Sequence, residues 1–314
     1  MSKKPANTPV SRPREDWGFF GPSSPTWRVW SAPTAFLAFR RSIVVQCFDP
    51  YLAIAVHESN GVRTNPRKRL DRTLHYFLTV ACGDSRSAIE ASDVLMRVHA
   101  NAAGTEPVSR TPYCANDPET QLWIHVTGWH SNLLCYERFG PGPLSPADEA
   151  RYWQECAIAA ELQTCEPALL PRSRDEVREF YASVRSRLCM TEHARALIHY
   201  FLAPNEESTL PRVIGEISTN AVVSTIPRWM RELAGIEQPR AVDVALAPVV
   251  RAAVRRYSRP ELASATIEKV SPSAVALYEQ VVRKTPPLRD EVVSPAQARE
   301  RLARTMKSMR ADVV

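Results

Sequence analysis

Apolar residues in this chain return at intervals of three and four, and no run alternates with the two-residue period of a strand. That pattern confines the fold to packed helices. Over residues 70–82 the stripe is Leu74, Phe77, Leu78 and Ala81. Over 85–101 it is Ala88, Ala91, Ser92, Leu95, Val98 and His99, and over 119–139 it includes Leu122, Trp123, Val126, Trp129 and Leu133. Helices are predicted also over 34–48, 50–57, 145–164, 173–188, 192–202, 210–234, 241–257 and 294–309. Ser145-Pro146-Ala147-Asp148-Glu149 carries its own start signal: a capping oxygen, a proline suited to the first turn and acids at the positive helix end. Gly83-Asp84 and Gly140-Pro-Gly-Pro separate helices, and 104–118 reads as a loop. With no strand–helix alternation and no internal repeat, the expected fold is all-α, one large helical domain over 17–285. A disordered basic tail, 1–16, precedes it. A C-terminal basic helix within 286–314 reads as a surface appendage.

Charge and cysteine usage narrow the functional classes. The net charge of +6 could suit an anionic partner, but Lys3, Lys4, Arg12 and Arg14 of the tail carry much of it, so no nucleic acid is expected. The seven cysteines are widely spaced, with no CxxC or CxxCH pair. They read as reduced core thiols of a cytoplasmic protein, without a zinc ribbon, thioredoxin chemistry or covalent haem attachment. No apolar signal core follows the N-terminal basic residues. The most apolar run, 36–56, is broken by Arg40, Arg41, Asp49 and Pro50, so no transmembrane span is expected and only peripheral membrane contact stays open.

The chain holds no Gly-rich phosphate loop, GxSxG elbow or HExxH sequence. Its histidines are His57, His75, His99, His125, His130, His193 and His199. His125 and His130 lie five apart and His193 and His199 six apart, which argues against a zinc site built from protein donors alone. Haem lowers that requirement, because the porphyrin brings four nitrogens and one helical histidine completes the set. By itself, each of these histidines is equally well a core or surface residue.

A pattern decides between them. Arg69-Leu-Asp-Arg72-Thr73 is followed by Gly83-Asp84, Leu95-Met-Arg97-Val-His99-Ala100, Tyr113-Cys-Ala115-Asn116-Asp117-Pro118 and Leu122-Trp-Ile-His125-Val-Thr, with Ile226-Pro-Arg-Trp-Met-Arg-Glu-Leu beyond. This order resembles the haem-dependent family of latex-clearing rubber oxygenases and fungal mycophenolate-pathway oxygenases, over roughly residues 21–233. The resemblance implies a globin-related helical core around a b-type haem pocket. It implies His99, from an Arg-x-x-His-Ala motif, as the proximal iron ligand. Arg69, Arg72 and Thr73 correspond to a distal Arg-x-x-Lys-Thr motif, and His125 is a rival ligand or a pocket residue. Arg72 replaces a lysine that can ligate iron; arginine stays protonated and cannot. Its expected partner is therefore bound oxygen, peroxide or a haem propionate, with Thr73 supplying a hydroxyl.

The resemblance thus points to an oxygenase that uses dioxygen or peroxide, with an electron donor, on an apolar substrate that is isoprenoid-like or a secondary metabolite. Two readings of other classes stand beside it. One is a haem-binding sensor or carrier without turnover; the other is a basic helical protein that binds nucleic acid or a membrane surface without haem.

Overall fold

The computed structural model describes residues 12–59, 61–203 and 209–311. The chain begins with α1 (Pro25–Trp30), α2 (Ala35–Gln46), α3 (Pro50–Glu58), α4 (Gly61–Thr64), α5 (Pro66–Cys82) and α6 (Ser85–Ala100). A small hairpin follows, β1 (Ala103–Thr105) with β2 (Pro112–Cys114). Then come α7 (Pro118–Phe139), α8 (Pro146–Ala160), α9 (Arg174–Val184), α10 (Glu192–Leu202) and α11 (Thr209–Thr225). The last are α12 (Arg228–Ala234), α13 (Arg240–Tyr257), α14 (Pro260–Val270), α15 (Val275–Val282) and α16 (Pro295–Ala311). The fold is all-α. None of the described helices is long and apolar enough to cross a membrane, and all seven cysteines are free.

Local chemistry sets the helix starts. Ser24, Asp49, Asp84, Ser145, Ser173 and Thr191 each accept a first-turn N–H, which is worth about 1 kcal/mol per cap. Prolines open α1, α3, α5, α7, α8 and α14, where their fixed φ suits the turn and their missing N–H costs nothing. The core forms around α7. Trp123, Val126, Trp129 and Leu133 are buried along it, and α2 runs beside it with Val44 and Val45 fully buried.

The structure departs from the sequence expectations at four places. Residues 104–118 contain the hairpin, whose three-residue strands (Ala103 opposite Cys114, Gly104 opposite Tyr113) are too short to show alternation. The helix expected over 210–234 is two, because Pro227 has no N–H to continue α11 and instead stands as the cap of α12. Helices α14 and α15 fill a stretch in which none was expected. The fourth concerns the two ends of the chain, expected as a loose tail and an appendage.

Of the expected tail, residues 1–11 lie outside the described residues, but 12–16 are packed. Arg14 is buried, donates to the Cys82 carbonyl and lies over the Trp27 ring at 4.9 Å. Asp16 is fully buried on the turn between α5 and α6: its Oδ1 accepts from Gly18 N (2.9 Å) and Ser85 N (2.8 Å), its Oδ2 from Ser85 Oγ (2.6 Å). Gly18 has φ +72, and a Cβ there would collide with the Gly83 carbonyl, so only glycine lets the strand lie this close. Backbone bonds then join this segment to the one before α16: Leu288 N to Arg14 O, Trp17 N to Glu291 O and Val293 N to Gly18 O. α16 itself packs on α6, with Ala298 buried, Arg299 on Asp93 at 3.1 Å and Arg301 on Glu291 at 2.8 Å. It is a structural helix of the domain.

Candidate functional site

α6 buries Ser85, Ala88, Ile89 and Ser92 in its first half. Its last turn is more open, so His99 is half-buried there. The loop beyond is tied back to α6 by Asn116, whose Nδ2 donates to the Met96 carbonyl at 2.9 Å. Gln121, in the first turn of α7, is buried; its Nε2 donates to the Ala115 carbonyl and lies 3.2 Å from His99 Nδ1. Burial lowers the proton affinity of the His99 ring, and the charge of Arg69 lowers it further. The ring is therefore mainly neutral near pH 7, and its Nε2 has no hydrogen-bond partner among the described residues.

α5 supplies the neighbouring residues. Arg69 is half-buried, Nη1 donates to Ser59 Oγ at 2.5 Å, and burial lowers its pKa while still leaving it a cation. The Thr73 hydroxyl donates to the Arg69 carbonyl of its own helix at 2.8 Å, leaving its oxygen lone pairs to accept. Arg72 is exposed and has no hydrogen bond or ion pair among the described residues. The fold thus brings Arg69 towards His99 and leaves Arg72 on the outer side.

His125 lies in different surroundings. It is buried on α7 beside Trp129 (ring centroids 5.7 Å), with Nε2 2.8 Å from the Cys156 carbonyl. A carbonyl only accepts, so Nε2 carries the proton and the nitrogen is engaged. Burial pushes its pKa down to about 4, against the opposing hydrogen bonds; burial lowers that of His130 in the same direction. Between about pH 6.5 and pH 4 the unfolded chain therefore takes up a proton that the folded ring refuses. Stability is complete above this window and falls as pH drops through it. For His125 alone the expected loss is about 2 kcal/mol between about pH 7 and pH 5, read from urea unfolding at both. His125→Gln should flatten that dependence; an unchanged slope would show that the ring is solvated.

A cavity of about 610 Å³ opens among α2, α5, α7, α11, α13 and α14. Its walls are mostly apolar, with Phe36, Phe77 and Ile217 among them. α5 contributes Leu74, Phe77 and Leu78; Phe77 follows Arg69 and Thr73 at four-residue spacing on the same helix face, while Leu74 and Leu78 lie further round. None of His99, Arg69, Arg72, Thr73 or His125 lines it. Gly128 and Asn132 of α7 do, and the sequence reading passed over both. Gly128 had a signal, as a lone glycine inside a long apolar helix. Gln121 had none, since a polar residue in a first turn reads as ordinary solvation.

Comparison with known proteins gives one match. A family model described as ER-bound oxygenase mpaB/B'/Rubber oxygenase, catalytic domain, matches residues 27–259. No curated protein and no solved structure matches the chain.

Proposed function

Because the chain belongs to the mpaB/B' and rubber oxygenase catalytic-domain family, we propose that it is a b-type haem-dependent oxygenase of an apolar small molecule, with His99 as iron ligand. The observation that carries the reading is the state of His99. Burial and Arg69 hold the ring neutral, and Nε2 is without a partner among the described residues. That is the one donor a haem requires from the chain.

The surrounding residues fit with one adjustment. Ligation through Nε2 puts the ring proton on Nδ1, so Nδ1 must donate. Gln121 presents its NH₂ group there, and a half-turn of its amide would present Oε1 instead, at the cost of the Ala115 bond. The Arg-x-x-His-Ala motif is met in His99 and Ala100 only: Met96 stands three places before His99, and the exposed Arg97 two.

A bound haem would supply the iron at which dioxygen or peroxide is activated. Arg69, held by Ser59, would donate to a propionate or to oxygen atoms that gain negative charge. Arg72, at the surface, would meet a propionate at the haem edge, and Thr73 would accept a hydrogen bond. The apolar cavity that α5 helps to line would hold the apolar substrate and exclude water. Use of dioxygen would add an electron donor as partner, and the free thiols suit a reducing, cytoplasmic compartment.

Titration of the purified protein with haem tests the reading. We expect a Soret band that saturates at one haem per chain, followed by oxygen incorporation when an isoprenoid and dioxygen or peroxide are added. No band after reconstitution overturns it; a band without turnover of any apolar candidate makes the protein a carrier or sensor. Gln121→Leu should weaken haem retention about 10-fold, the usual scale for a partner of a metal-bound histidine.

A further inference from the structure

The middle of α7 carries a feature that packing does not explain. Gly128 is a buried residue in the interior of a 22-residue helix, where glycine is less favourable than alanine. Such a glycine normally lets a neighbouring chain approach closely. Here, apart from its chain neighbours and the adjoining backbone of its own helix, no heavy atom of the described residues lies within 4 Å of the position a Cβ would take. The space beside Gly128 belongs to the apolar cavity, which Gly128 lines.

One turn on, Asn132 lines the same cavity and is 5% exposed. Its Nδ2 donates to the Gly128 carbonyl at 3.0 Å, which fixes the amide orientation because that carbonyl can only accept. Oδ1 is left buried with no partner among the described residues. An orphaned buried carbonyl oxygen keeps an uncompensated desolvation penalty, and a ligand with an O–H or N–H can satisfy it. Phe36, Leu37, Leu74, Phe77 and Ile217 surround the remainder with hydrocarbon.

We infer that this cavity binds an apolar small molecule bearing a hydroxyl group, whose hydrogen bonds to Asn132 Oδ1 while its carbon skeleton fills the space left by Gly128. The inference deepens the oxygenase reading by naming the class of substrate and rests on it only for turnover, since binding needs no haem. Asn132 is then the polar anchor and Gly128 the residue that sets the size limit.

The test uses the full chain without haem and two fluorescent probes, retinol and its methyl ether, which differ in the hydroxyl proton. Trp30 lines the cavity, so energy transfer from tryptophan reports occupancy. Wild type should bind retinol about five-fold more tightly than the ether, the scale of one buried hydrogen bond. Asn132→Leu should remove that preference. Gly128→Ala should weaken both probes and Gly128→Leu abolish both, while circular dichroism stays unchanged because each substitution favours helix. Equal affinity of wild type for the two probes overturns the anchor. Unaltered binding by Gly128→Leu overturns the site. The Soret band of haem-loaded Gly128→Leu supplies the last arm: it should match wild type, and its loss would assign the cavity to the cofactor instead. If wild type shows no Soret band but the probe series holds, the binding site stands and the haem reading falls.

Discussion

His99→Ala is expected to emerge from haem reconstitution without a Soret band, with its helical circular dichroism unchanged. The ring is half-buried on the open last turn of α6, and among the described residues its only side-chain partner is the Gln121 amide. Truncation therefore removes little packing, and the effect on haem should be separable from folding. Losing a hydrogen-bond partner of a metal-bound histidine costs about 10–100-fold in affinity, and losing the ligand itself should exceed that. Free imidazole, added to the variant, should restore part of the band by entering the space left by the ring. His125→Ala is the opposing control. Its Nε2 is engaged by Cys156, and burial depresses its pKa, so its loss should lower stability and leave the spectrum of the folded fraction unchanged. A band kept by His99→Ala and lost by His125→Ala would reverse the assignment.

The second large effect concerns Asp16. Its carboxylate accepts three hydrogen bonds from Gly18 and Ser85, two of them from backbone N–H groups, and lies about 4 Å from Arg289 and Arg301. Fully buried, it leaves those donors unsatisfied when removed, while Arg289 and Arg301 keep Glu291 as a partner. Asp16→Ala should cost about 3–5 kcal/mol, the range for breaking a buried charged network. Asp16→Asn keeps one acceptor oxygen and should cost about half as much. Urea midpoints, with an unchanged dependence on denaturant, would measure both. A loss below about 1 kcal/mol for the alanine variant would mean that the contact between the two chain ends contributes little.

Most of the helical fold was legible because each helix carries a local message. The stripe Leu74–Phe77–Leu78–Ala81, the break at Gly83-Asp84 and the cap Ser145 need no distant partner to be read. What was missed is long-range or very short. The Asp16–Ser85 contact joins residues 69 apart, so Arg12 to Asp16 looked like a continuation of a basic tail. The strands of the hairpin are too brief for a period to emerge. The site divides in the same way. His99 stood out only through the resemblance, since its position on a helix face fits a core residue equally well. Arg69 and Arg72 looked equivalent, and only the fold separates the half-buried one from the exposed one. The cavity was invisible because its walls come from helices far apart in sequence, and a void leaves no pattern in the residues that fail to fill it.

The family match ends at residue 259, yet Leu262, Ala263, Thr266, Ile267, Ala274 and Tyr278 all line the cavity. Ser271 and Ser273, also beyond that limit, bind Asp71 of α5. The part of the chain that resembles its relatives thus holds every residue assigned to the cofactor, while the part outside the match closes the chamber. A version trimmed to residues 27–259 would keep the residues proposed to hold a haem and lose a wall of the cavity. What distinguishes this protein's choice of molecule is therefore to be sought partly in the stretch that family comparison leaves out.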